Sequence, residues 1–192
     1  MISKEELYEY LKENLKESRY IHTLGVASVA KKLAEINNVD VEKAEMAALC
    51  HDIAKNKNYT DEDMKKIIDE NNIVLSEYEK VSPKIWHSII APIEAKRKAL
   101  VDDEEILEAI RVHTTGKENM STLDKIIYIA DMIEPSRSFE GLEEIRNATL
   151  EDLDKGVLMG LNHSIEFLLS KGAIIDINTM NARNYLVLQK TK

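Results

Sequence analysis

Helix-opening residues recur along this whole chain, each followed by apolar residues at three- and four-residue spacing, and almost nothing between them offers a strand. Ser3 with Glu6 forms a capping box ahead of Leu7, Leu11 and Leu15, and Thr60 with Asp63 starts another helix. Ser18 is expected to cap a helix carrying Ile21, Leu24, Val29, Leu33 and Ile36, and Asp40 one with Val41, Ala44, Ala48 and Leu49 inward. Pro92 is expected to kink or restart a helix running to about Leu100; Asp102 or Asp103 caps the next, which ends near His113. Thr122 is expected to cap LDKIIYIADMI, stopped by Pro135, and Thr149 with Asp152 to open a long helix closed at Gly172. The β-branched run AIIDI at 173–177 stands alone, and one strand makes no sheet. The pattern predicts an all-α, single-domain irregular helical bundle over residues 1–192.

Composition acts by exclusion. With 44% hydrophobic and 32% charged residues, 6 Gly and 3 Pro, disordered and collagen-like classes drop out. The lone Cys50 excludes a disulfide framework, cysteine zinc fingers and iron–sulfur clusters. A formal charge of −9 without a basic stripe argues against nucleic acid and anionic membranes as partners. No apolar run approaches the ~18 residues of a membrane span, and MISKEELYEYLKENLK lacks the apolar stretch of a signal peptide, so a soluble, cytoplasmic protein is expected.

Helical bundles bury leucine, so acids and imidazoles intruding on apolar faces carry the functional signal. His22 sits between Ile21 and Leu24, His51 and Asp52 end MAALCHDIAK, His87 lies among Trp86, Ile89 and Ile90, His113 closes an amphipathic helix, and Asp131 lies one turn beyond Ile127. As unrelated core residues, six such groups would need many separate hydrogen bonds; a metal centre would use them together. Imidazole and carboxylate without thiolate suit Fe, Mn, Co or Zn. Six ligands exceed what one ion takes, whereas two ions sharing a carboxylate use them all, with Asp52 the natural bridge. Such a pair generates hydroxide at neutral pH and flanks an in-line phosphoryl displacement.

These residues resemble the signature of the HD-domain metal-dependent phosphohydrolases: a histidine, an adjacent His-Asp pair and a distant aspartate on an all-α scaffold. Here they are His22, His51, Asp52 and Asp131, and His87 and His113 resemble the extra histidines of the binuclear branches. RYIHTLGVA at 19–27, LCHDIAK at 49–55, HTTG at 113–116 and LDKIIYIADMIEPSR at 123–137 are similar to the YqeK family of symmetrical diadenosine tetraphosphate hydrolases. HSIIAPIEA, around His87, departs from that family's glycine-containing pattern. The resemblance implies an HD-type core over about 18–137 with C-terminal helices 142–192 packed on it. It also implies a di-iron centre, a dinucleoside polyphosphate or nucleoside diphosphate as partner, and cleavage to two ADP by a hydroxide held between the metals.

Such a substrate is highly anionic, so local cations must hold it. Asp52 and Lys55 are the candidate catalytic residues. Arg19, Lys55, Thr114, Thr115, Gly116 and Arg137 are candidates for the phosphates, the Thr-Thr-Gly loop through backbone N–H groups. Other HD-domain nucleotide reactions, an oxygenase on the same scaffold and a non-catalytic nucleotide sensor stay open, as does a homodimer through the helix at 149–171. Cys50 and His163 read as structural; Gly25, Gly156 and Gly160 read as close helix contacts, and DDEE at 102–105 as anions favouring a helix N-terminus.

Overall fold

The computed structural model describes residues 3–190; the outermost residues of the expected 1–192 span lie outside them. Eleven α-helices and no strand occur among the described residues. α1 (Lys4–Asn14) opens at the Ser3–Glu6 capping box and buries Leu7 and Leu11. α2 (Glu17–Ile36) starts before the expected Ser18 cap, with Lys16 as its first flanking residue and no side-chain cap. Burial of Leu15 between the two helices leaves a two-residue extended link, so the second helix has begun by the time the serine is reached.

The buried face of α2 also differs from the expected one. Ile21 and Ile36 are exposed, while His22, Thr23, Val26, Ala27, Ala30, Leu33 and Ala34 face inward. Small residues win that face because α2 packs closely on both α3 (Val41–Cys50), opened by Asp40, and α8 (Thr122–Ile133). α8 is apolar nearly all round, burying Leu123, Ile126, Ile127, Tyr128, Ile129, Ala130 and Ile133, as a central helix must. Its cap is Ser121, not Thr122: Ser121 has its partner Asp124 three residues on, where Thr122 has Lys125.

α4 (Asp61–Glu70) starts at the Thr60–Asp63 capping box and lies on α6 (Trp86–Ala99). The short α5 (Glu77–Lys80) and a 3₁₀ turn at Pro83–Ile85 lead into α6, which runs unbroken through Pro92 instead of restarting there. Leu100 ends it in the left-handed region. α7 (Glu104–Val112), capped by Asp103, packs on α3, α6 and α8, with Lys43 paired to Asp103 and Glu105.

α9 (Leu142–Glu151), α10 (Leu153–Ser170) and α11 (Ile177–Lys190) follow, with α10 seated on α8. Thr149 does not cap α10. It lies inside α9, its hydroxyl donating to Ile145 O, and Asp152 is the cap. A Cβ on Gly156 would lie 2.5 Å from Thr149 Cα, so glycine allows the close α9–α10 crossing. Gly160 gives the same clearance to Ile129 and Met132 of α8. The 173–176 stretch is a connection, not a strand, and Ile177 already begins α11. One apolar cluster joins residues from Leu7 to Leu186, and no described helix is long and apolar enough to cross a membrane.

Candidate metal centre

Five helices converge on one buried point. His22 comes from the first half of α2, His51 from the last cap of α3, and Asp52 from the turn that follows it. His87 is the second residue of α6, His113 caps the end of α7, and Asp131 stands near the end of α8. The helix ends are what aim the rings. His51 Nδ1 meets Ala48 O at 2.6 Å and His113 Nδ1 meets Ile110 O at 2.7 Å, carbonyls three residues back at helix ends where the regular ladder stops. His87 Nδ1 does the same with Lys84 O in the 3₁₀ turn, at 2.8 Å. In each, Nδ1 carries the proton and Nε2 is left as a lone pair facing the centre.

Asp52 sits in the middle, 1% exposed, and its two oxygens face different neighbours. His51 Nε2 lies 3.4 Å and His22 Nε2 3.9 Å from Oδ2, whereas His87 Nε2 lies 3.5 Å and His113 Nε2 3.7 Å from Oδ1. Asp131 closes the first flank, its Oδ1 3.0 Å from His22 Nε2. Two sets of donor atoms, His22 with His51 and Asp131, and His51 with Asp52 and His113, lie within 4.8 Å of one another and could each hold a metal ion. The donors fit a cation. His22 Nε2, His51 Nε2 and Asp52 Oδ1 are buried without a hydrogen-bond partner, and buried polar atoms are rarely left so unless something else binds them.

The electrostatics agree. Burial alone would raise the Asp52 carboxyl, but His51, His113 and Lys55 around it hold it well below the ordinary carboxylate range. Asp131 is likewise lowered, its burial outweighed by His22 and the neighbouring imidazoles. Burial pushes His87 down to about 3, against the pull of Asp52, so its ring is neutral as a ligand must be.

The other expected site residues divide. Arg19 Nη1 donates to Asp52 Oδ2 at 2.8 Å, and Lys55 Nζ stands 3.6 Å from Oδ1, one cation per oxygen. The Thr114 hydroxyl lies 3.1 Å from His113 Nε2 and 3.3 Å from His87 Nε2. In the loop that follows, the Thr115 hydroxyl donates to Gly116 O and the Gly116 N–H to Val112 O, so both of these groups are already engaged. Gly116 has φ +66 and packs against Ala182 and Met120, so it is there for the turn. Arg137 spends Nη2 on Asp131 Oδ1 at 2.7 Å and Nε on Asp131 O at 3.0 Å. It braces a carboxylate more than it opens toward a ligand.

Glu134 escaped the sequence reading. It is 1% exposed, and its Oε1 accepts from His22 Nδ1 at 2.9 Å. Hydrogen bonds from Ser136 and His22 outweigh the burial that would raise its carboxyl and hold it low. The available signal was an acid directly after an apolar helix end, in IEPSR, where a solvated cap is the ordinary interpretation. Cys50 is buried and pushed up to about 12 by desolvation, an inert core thiol, and His163 stacks on Phe139 at 4.3 Å.

Comparison with known proteins places this geometry. The HD domain family model matches residues 19–136, the stretch that carries all six converging side chains. A symmetrical bis(5'-nucleosyl)-tetraphosphatase of Bacillus subtilis is 38% identical over 186 residues, covering 97% of this chain and 98% of its own. Its namesake in Staphylococcus aureus is 34% identical over 91% of this chain and 89% of its own. A crystal structure from Clostridium acetobutylicum, described as a predicted HD superfamily hydrolase involved in NAD metabolism, superposes with a TM-score of 0.94 at 43% identity, covering 98% of this chain and 99% of that one. With the buried His-Asp constellation inside the matched stretch and relatives aligned almost end to end, the chain belongs to the HD domain family.

Proposed function

We propose that the chain hydrolyses diadenosine tetraphosphate symmetrically to two ADP at a centre of two metal ions, iron first, with manganese, cobalt or zinc compatible with the same donors. The observation that carries this is Asp52, whose two oxygens face two separate sets of histidines inside a fold shared end to end with relatives named for this reaction. His22, His51 and Asp131 would hold one ion, His87 and His113 the other, and Asp52 both. Bound there, the ions supply a water activated at neutral pH and positive charge on both sides of an in-line displacement at phosphorus.

The chain's own residues do the rest. The three carbonyl-backed imidazoles and His22 keep their Nε2 lone pairs on the centre, so the four rings are oriented before an ion arrives. Arg19 and Lys55 offer cationic groups beside Asp52, where a tetraphosphate must approach a protein of net charge −9. Thr114 presents a hydroxyl between His87 and His113. One water is consumed, the bond between the second and third phosphates breaks, and each half leaves as ADP. No side-chain nucleophile is involved.

The test is incubation of the protein, metal content measured, with diadenosine tetraphosphate, followed by chromatography of the products. Metal-dependent formation of two ADP is the expected result. AMP plus ATP would keep the centre and overturn the cleavage position, and tight binding without turnover would favour a nucleotide sensor. NAD belongs in the same assay as a second substrate, because the Clostridium relative is described in connection with its metabolism.

A further inference from the structure

We infer, on the metal centre proposed above, that Glu134 is a positioning residue: seated in the gap left by Gly25, it fixes the His22 ring so that Nε2 alone serves the metal. His22 needs an imported acceptor. The other three histidines stand at helix ends or in a turn and use a carbonyl three residues back. His22 lies inside α2, where the corresponding carbonyl, Arg19 O, accepts from the Thr23 hydroxyl. No local acceptor remains for its Nδ1–H.

The acceptor comes instead from the end of α8. Glu134 caps that helix, its N–H donating to Ala130 O, and its side chain turns back so that Oε1 accepts from His22 Nδ1 at 2.9 Å. The turn is held from both sides. The Ser136 N–H donates to Oε2 at 2.7 Å and its hydroxyl to Oε1, while Arg146 donates to Ile133 O at 2.9 Å and Glu134 O at 2.8 Å. A Cβ on residue 25 would lie 2.6 Å from Glu134 Oε2 and 3.4 Å from Pro135 Cδ. Glycine one turn beyond His22 is therefore what lets the carboxylate reach the ring. An ionised carboxylate only accepts, so the proton stays on Nδ1, and a carboxylate partner makes the imidazole a stronger donor to a metal than a carbonyl does.

The test is a Mn²⁺ titration of the metal-stripped full chain, following the free Mn²⁺ signal by electron paramagnetic resonance, for wild type, Glu134→Gln, Glu134→Ala and Gly25→Ala. Glu134→Ala is expected to weaken one of two Mn²⁺ equilibria about 10–100-fold, the usual cost of losing such a support, and to leave the other unchanged. Gly25→Ala should weaken the same one, and Glu134→Gln, which keeps the shape, should fall between wild type and Glu134→Ala. General loosening of the fold would instead move both equilibria together. Wild-type affinities in both Glu134 variants overturn the inference, and if the alanine variant does not fold, unchanged affinity in Glu134→Gln does so alone. A wild-type chain that takes up no Mn²⁺ overturns the metal centre itself, and this role with it.

Discussion

On the Oδ1 flank of Asp52, His87 and His113 each lean on a carbonyl three residues back in their own chain, whereas on the Oδ2 flank His22 leans on Glu134, 112 residues away, and Asp131 on Arg137. Each ring of the first flank is oriented as soon as its own helix end forms. The second exists only once α2 and the end of α8 have met. Neutral carbonyls back both histidines of one flank, whereas the other adds charged groups, Glu134 behind His22 and Arg137 behind Asp131, to the Ala48 carbonyl behind His51, so the two proposed ions would sit in fields of different strength.

The largest effect that would break this division is expected at its midpoint. Asp52→Ala removes the shared carboxylate, so both metals and activity should be lost together; several kcal/mol of metal-derived stabilisation corresponds to about a thousandfold or more in rate. Substantial turnover by a metal-free Asp52→Ala protein would end the proposal. Next come the single-flank variants. His22→Ala and His87→Ala should each lose one metal by elemental analysis, and a variant losing both, or neither, would show that the flanks are not separate.

Metal removal should register in stability. An ion present at a hundredfold above its dissociation constant contributes about 2.7 kcal/mol to folding, which for a chain of this size is a Tm fall on the order of 5–10 °C per site on chelation. Two-step loss as chelator strength rises would sharpen the contrast; an unchanged Tm would speak against bound metal. Smaller again, Lys55→Ala should raise KM about tenfold with metal content intact, the worth of one charged hydrogen bond, while Arg137→Ala should weaken metal binding on the Oδ2 flank only. The smallest effect is expected at Cys50: native protein treated with an alkylating reagent should keep its thiol and its activity, since burial holds that group protonated.

The six converging side chains were legible in the sequence because each breaks an apolar stripe, a signal that survives not knowing which way the helix turns. Helix existence was legible for a related reason: Ser3, Asp40 and Thr60 cap as their spacing predicts, and of the two candidates Asp102 and Asp103 the second caps α7. What failed were judgements that need the neighbour. The face of α2 goes to alanines over isoleucines, and Thr149, whose spacing to Asp152 predicts a cap, fills the α9–α10 contact instead. Glu134 was invisible because its partner, His22, lies on another helix; nothing local separates it from an ordinary solvated acid.

The two ways of backing a histidine also differ in how they travel. A ring braced by its own helix end carries its orientation within a four-residue segment, so such a ligand can be transplanted by copying a short stretch of chain. His22 cannot be moved that way. Anyone grafting this centre onto another scaffold must bring the glycine on one helix and the Glu-Pro-Ser turn of another as a matched pair. A homologue that gained a side chain at position 25 should have lost the acid at 134 as well.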